Sequence, residues 1–275
     1  MKILFTGKGG AGSWEIRGRQ LAQALGAKAI PNASADECAK YDVVVVVKKQ
    51  GKADISKARL VVWDIVDAWP QPAGNQWTPK QGREYLRGRV ACDAVVYATK
   101  QMASDLNFPM PSLVLPHHHR PGIKRNPIRG TISRIGYEGD PRFLEEWRDI
   151  LEHECQCLGW EFVINPKSVD SVDALVAFRA GRFGGSLPRR WKSNVKLANA
   201  QGSGTPIICN RESGYQETSD NGVFWCDSLS ELRGALRWLT DYQLRCEIHE
   251  HFLSQSFSVD QAAEVYGAWL SSLRY

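Results

Sequence analysis

Lys192 and Lys196 stand four residues apart in KSNVKLANAQGSGTPIICNRESGYQET, the stretch from Lys192 to Thr218. On a helix, side chains at that spacing share one face. Ser193 or Asn194 supplies an N-cap, Val195, Leu197 and Ala198 supply a packing face, and Gly202 or Gly204 ends the helix. Unpaired N–H groups and the helix dipole favour negative charge at such an N-terminus, and two cations beside it complete an anion site. A diphosphate is the natural guest.

A second group of chemistry-bearing residues lies earlier. Arg59 to Ile65 reads as a buried strand that runs into Asp64 and Asp67. Carboxylates at the C-terminal ends of parallel strands point into the crevice where open α/β sheets bind ligands. Asp67 and Asp64 are therefore candidates for a base that deprotonates a hydroxyl, with helix capping as the other role for each. Trp69 and Trp77 sit on a loop broken by Pro70, Pro72 and Gly74, where they form either a stacking platform or part of their own domain's packing. Three adjacent histidines, His117 to His119, cannot converge on one metal ion, so no metal site is expected there. His117 or His119 remains as a base or a phosphate or sugar contact.

The elements that must hold these groups alternate between strand and helix. Lys2–Thr6, Tyr41–Lys48 with its five valines, Arg59–Ile65, Ala91–Thr99 and Ser112–Leu115 read as strands of a first unit. Thr131–Tyr137, Glu161–Ile164, Val172–Phe178, Thr205–Cys209 and Val223–Cys226 read as strands of a second. Gly7 to Gly12 forms the first strand-to-helix turn, with Ser13 as the N-cap of a helix running to about Leu25. The run matches a bare GxGxxG spacing and lacks the Gly-Lys-Ser/Thr of a nucleotide-binding P-loop. Arg179 to Arg190, with three glycines, reads as a loop leading into the lysine-bearing helix. Capping boxes at Ser228–Glu231 and Ser258–Gln261 open two later helices.

Between Lys192 and Glu217 the chain resembles the donor half of the GT-B superfamily of nucleotide-sugar glycosyltransferases. The pattern Lys-x-x-x-Lys-Leu-x-x-Ala, Gly-x-Pro-x-Ile and Tyr-x-Glu is filled by Lys192, Lys196, Leu197, Ala200, Gly204, Pro206, Ile208, Tyr215 and Glu217. Where many retaining members carry two glutamates, this chain has Trp191 and Asn199. The resemblance implies an α/β fold of two Rossmann-like domains facing a cleft. Its parts would be an acceptor-side domain over residues 1–116, a basic hinge over 117–129, a nucleotide-sugar domain over 130–257 and a bracing helix over 258–275. It implies transfer of a sugar from a nucleotide-diphosphate donor such as a UDP-sugar to an acceptor hydroxyl, without a bound metal or other cofactor. Lys192 and Lys196 would then contact the diphosphate, with Gly10, Arg189 and Asn194 beside them. Tyr215 and Glu217 would reach the ribose or the sugar, and Ser13, Trp69, Trp77 and His119 would face the acceptor.

Composition bears on the acceptor. Residues 1–129 hold 20 Lys and Arg against 10 Asp and Glu, whereas residues 130–275 hold 15 against 20. A basic acceptor half suits a polyanion, and with the tryptophan loop it points to DNA carrying a 5-hydroxymethylpyrimidine, as in phage DNA glucosyltransferases. A saccharide, a lipid-linked glycan on an anionic membrane, a protein acceptor, or a non-catalytic sugar-nucleotide-binding module are the alternatives. Seven cysteines without a CxxC pair suit a reducing compartment. No stretch is long and apolar enough to span a bilayer, so a cytoplasmic location, the phage-infected or bacterial cytosol for a DNA substrate, is expected.

Overall fold

The computed structural model describes residues 1–10, 12–219 and 221–273. Ala11 of the first glycine turn, Asp220, and the last two residues of the bracing-helix segment, Arg274 and Tyr275, lie outside them. Among the described residues, eleven strands form two wholly parallel sheets. The first comprises β1 (Ile3–Thr6), β2 (Lys28–Ala29), β3 (Val43–Val47), β4 (Val61–Asp64), β5 (Ala94–Tyr97) and β6 (Ser112–Val114), in the order β2-β1-β3-β4-β5-β6. The second comprises β7 (Arg134–Tyr137), β8 (Glu161–Ile164), β9 (Ala174–Ala177), β10 (Ile207–Cys209) and β11 (Val223–Trp225), in the order β11-β10-β9-β7-β8. All five valines of β3 are buried, because helices cover both faces of a parallel sheet.

The expected strands hold at their centres and shorten at their ends. The two-residue β2 escapes a hydrophobicity reading because neither of its residues is buried. Ser13 is not a cap. The helical turn Gly12–Trp14 already contains it and continues through a π-helical segment, Glu15–Gln20, into Leu21–Ala24. The expected loop before Lys192 is instead partly helical over Ser186–Trp191.

The two halves are bound together by more than the hinge. Leu187 and Trp191 of the helix Ser186–Trp191 are buried in a core with Trp69, Leu86 and Tyr97 of the first half. Gly82 makes room for the Trp191 ring, and Asp105 accepts from the Trp191 indole at 2.7 Å while pairing with Arg190. The C-terminal helix Val259–Ser272 leaves the second half and packs Ala262, Ala263, Tyr266 and Leu270 into the first half's core with Phe5, Leu21 and Val45. No helix among the described residues is long and apolar enough to cross a membrane.

Candidate active site

The C-terminal ends of both sheets face each other across a cleft, and unusual backbone at the strand ends places charged groups in it. Lys48 follows β3 with φ of 62°, and Val66 follows β4 with φ of 53°. Non-glycine residues adopt this left-handed conformation rarely, and a β-branched one more rarely still. These turns set Lys48 and Asp67 on the same wall. Lys48 Nζ lies 2.6 Å from Asp67 Oδ1. Lys192 Nζ, arriving from the second half, pairs with Asp67 Oδ2. Burial would raise the Asp67 pKa, but the two ammonium charges hold it far below the usual carboxylate range. Burial in turn lowers Lys192 to about 8, against the pull of Asp67.

Lys196 is the other lysine of the pair, and its surroundings differ. Its Nζ is buried, has no hydrogen-bond partner, and lies 3.8 Å over the Tyr137 ring. Burial and the nearby Arg179 hold its pKa well below the ordinary lysine value. Arg179 itself is paired through Nε with Glu212 at 2.9 Å, both side chains nearly buried. Glu138 receives Arg120 at 2.8 Å and the Asn199 side-chain amide at 3.2 Å. Asn199 also accepts from the Arg120 backbone N–H at 2.9 Å, fixing the hinge to the lysine-bearing helix Val195–Ser203. Lys196, Arg179, Arg120, Glu138 and Asn199 line a cavity of about 530 Å³ with Gly12, Ser13 and His117. A second cavity, of about 520 Å³, adjoins it and shares Lys48, Asp67, Phe143 and Lys192 as a common wall.

The structure sorts the expected site residues. Asp67, His117, Lys192, Lys196 and Ser13 line the first cavity, together with Arg179, Glu138 and Asn199. The His117 ring is buried with both nitrogens unpartnered, and burial and then Arg17 push its pKa well below the usual value, leaving a neutral imidazole. Asn194 caps nothing. Its side chain accepts from His117 N–H at 2.8 Å and donates to His117 O at 3.3 Å, locking the hinge in place.

Other residues stand elsewhere. Asp64 is fully buried below the cleft floor and held by Arg17 at 2.9 Å, out of reach of an acceptor. Glu217 does not face the cleft. Its carboxylate caps the helix Lys100–Leu106, accepting from Lys100 N at 2.5 Å and Gln101 N at 2.8 Å, so it ties the halves together. Tyr215 is core. Arg189 is exposed and lines neither cavity, and Gly10 shapes its turn, with φ of 72°, without reaching the cavity wall. Trp69 is 1% exposed and packs edge-on against Trp191, and Trp77 packs on Tyr85. Trp69 still shows part of itself to the second cavity. The stacking platform expected of the tryptophan loop does not form, because both rings pack within the protein, Trp69 on Trp191 and Trp77 on Tyr85. His119 stacks under Gly202, its Nδ1 3.0 Å from the Arg120 carbonyl.

Sequence reasoning missed Lys48, Arg179, Glu138 and Glu212. Lys48 was legible only as the residue that ends a buried strand, as were Arg179 and Glu138, which follow β9 and β7 within two residues.

With strand order and cleft in hand, the chain can be set against solved structures. It superposes on Anabaena Alr3699/HepE, solved in complex with UDP and glucose, with a TM-score of 0.68 over 99% of this chain and 100% of that one, at 13% identity. This chain has the GT-B fold. A glycosyltransferase from Rickettsia africae gives a TM-score of 0.58 at 11% identity, covering 99% of both chains. AviGT4, a glycosyltransferase involved in avilamycin A biosynthesis, gives 0.56 at 11% identity over 99% of this chain and 98% of its own. No protein-family model and no curated protein sequence matches.

Proposed function

We propose that the chain is a glycosyltransferase that takes a UDP-sugar and moves the sugar to an acceptor hydroxyl in the cleft. The reading is carried by Lys196. A buried ammonium without a partner is expensive to maintain, and such a group in a cleft is a site waiting for an anion. Arg179 and Lys192 line the same cavity, so a diphosphate there would meet three cations. The fold's resemblance to HepE, whose complexes hold UDP and glucose or UDP-glucose, supports a uridine diphosphate sugar as the donor.

In the reaction, the bond from the sugar's anomeric carbon to the diphosphate oxygen breaks, and that oxygen leaves with the electron pair. The acceptor oxygen forms the new bond and loses its proton. Arg179, Lys192 and Lys196 stabilise the departing charge, which is the neutralisation a metal ion would otherwise supply, so no metal cofactor is required by this reading. Asp67 stands where the two cavities meet and is the carboxylate placed to receive the acceptor proton. Its depressed pKa makes it a weak base while Lys192 holds it. Diphosphate binding draws Lys192 away and leaves Lys48 as the one cation on Asp67, so the carboxylate regains part of its basicity when the donor is in place. The neutral His117 imidazole offers one donor and one acceptor to a sugar hydroxyl.

The acceptor is a saccharide in this reading. A 5-hydroxymethylpyrimidine in DNA had two supports, and the tryptophan platform is the one the fold removes; the basic first half alone does not distinguish DNA from other anions. The test is incubation of the purified protein with a panel of sugar nucleotides and hydroxylated acceptors, DNA included, followed by mass spectrometry. A hexose or pentose added to a saccharide, lost in Asp67→Asn while donor binding persists, is the expected result. Failure of every sugar nucleotide to bind would overturn the reading.

A further inference from the structure

We infer that the acceptor carries a carboxylate or phosphate group, and that the second cavity is the subsite that receives it. The inference rests on the glycosyltransferase reading and concerns a part of the cleft that the donor leaves unused. Five cations line this cavity: Lys48, Lys49, Arg142, Arg182 and Lys192. Lys48 and Lys192 share the single carboxylate Asp67. Arg142 is matched by Asp140 at 2.5 Å, and Arg182 by Glu145 at the longer distance of 3.4 Å. With Lys192 given to the diphosphate, four cations face three carboxylates. Lys49 is exposed, and its amine has no partner among the described residues.

The rest of the wall is made by Asp67, Gln71, Pro72 and three aromatic residues. Phe143 and Phe183 pack together with ring centroids 4.8 Å apart, and the buried Trp69 contributes only an edge to the wall from the first half. Flat apolar faces suit the C–H surface of a sugar ring, while the surplus of positive charge suits an anionic substituent on it. The cavity's size is within the range of small-ligand sites. It touches the donor cavity at Asp67, so a ring seated here brings its hydroxyl to the carboxylate that takes the proton. A neutral sugar would leave the Lys49 amine without a partner and Arg182 with only the longer contact to Glu145 and the Phe183 ring. A nucleic acid would need an open basic surface with presented rings, whereas these cations are gathered in a recess whose aromatics are packed at its walls.

Matched saccharide pairs test the inference. Methyl β-glucuronide is compared with methyl β-glucoside for a carboxylate source, and glucose 6-phosphate with glucose for a phosphate source. Each is titrated into the UDP-saturated protein and followed by saturation-transfer NMR, alongside a hydroxymethylcytosine oligonucleotide. At least one anionic member should bind tenfold or more tightly than its neutral partner, with the advantage shrinking as salt rises. The pair that shows the advantage identifies the anion. Lys49→Gln with Arg182→Gln, both at exposed positions, should erase it while UDP-sugar affinity by calorimetry stays the same. Equal binding of charged and neutral members, or competition for the cleft by the oligonucleotide alone, would overturn the inference with the donor reading intact. Loss of UDP-sugar binding in the unaltered protein would instead overturn the donor reading and this inference together.

Discussion

Each half of the molecule buries a cation near the seam, and the two cations are treated in opposite ways. In the first half, Arg17 is fully enclosed, yet its Nε meets Asp64 at 2.9 Å and its Nη1 meets the carbonyls of Leu115 and Pro116 at 3.0 and 3.2 Å. In the second half, Lys196 is only partly buried as a residue, but its Nζ is enclosed, has no hydrogen-bond partner and lies over the Tyr137 ring. The first arrangement has its counter-ion, although Arg17 Nη2 and Asp64 Oδ1 keep no hydrogen-bond partner, and its charge holds the end of the last strand of the first sheet to the helix that carries Arg17. The second faces the cavity, and under the proposed function the partner it lacks is the donor's diphosphate. Burial alone therefore says nothing about function. The informative quantity is which buried charge lacks a partner and faces a cavity.

The contrast can be broken at either end. The largest effect is expected at the paired end. Arg17→Met strands the Asp64 carboxylate, and loss of one member of a buried pair costs about 3–5 kcal/mol. Urea denaturation should show that loss directly, and donor affinity should fall only in proportion to unfolding. At the unpaired end, Lys196→Met should weaken UDP-glucose binding about 100-fold, or about 2.7 kcal/mol, as measured by calorimetry, with thermal stability unchanged or raised. A variant that loses both binding and stability would show that Lys196 is structural after all.

Titration sharpens the contrast further. Lys192 titrates near 8 in the empty site because burial disfavours its charge. A bound diphosphate favours the charged form, so its pKa in the complex is higher. Between those two values the complex holds a proton the free protein lacks, and affinity must fall as pH rises above about 8. UDP-glucose is the ligand to use, since its diphosphate does not itself titrate in this range. The smallest effect belongs to Glu217. Glu217→Gln weakens an interdomain helix cap, and a loss of about 1 kcal/mol in stability is expected, with donor affinity little changed. A fall in donor affinity without a fall in stability would return Glu217 to the site.

Much of this arrangement was legible in the sequence. The runs Val43–Val47 and Thr205–Cys209 announced buried parallel strands, whereas the expected one-turn pairing of Lys192 and Lys196 does not form: the helix starts at Val195, and Lys192 precedes it in extended backbone with its amine on Asp67. What could not be read were pairings across long separations. Asp67 and Lys192 are 125 residues apart, and nothing local distinguishes Asp67 from Asp64, which sits three residues earlier and is spent on Arg17. Glu217 lay in the expected motif, yet the approach of the helix Lys100–Leu106 from the other half gave it two N–H donors to cap. The tryptophans were read correctly as loop residues. Their destination depended on Trp191 and Tyr85, which the fold alone brings to them.

The central claim is that Lys196 and its neighbours are held ready for a diphosphate. Calorimetric titration of UDP-glucose at pH 8, run in two buffers of different ionisation enthalpy, tests it most directly. The account predicts saturable one-to-one binding with net proton uptake in the unaltered protein, and reduced uptake with much weaker binding in Lys196→Met. Binding of equal strength in both proteins, with no proton taken up, would contradict it.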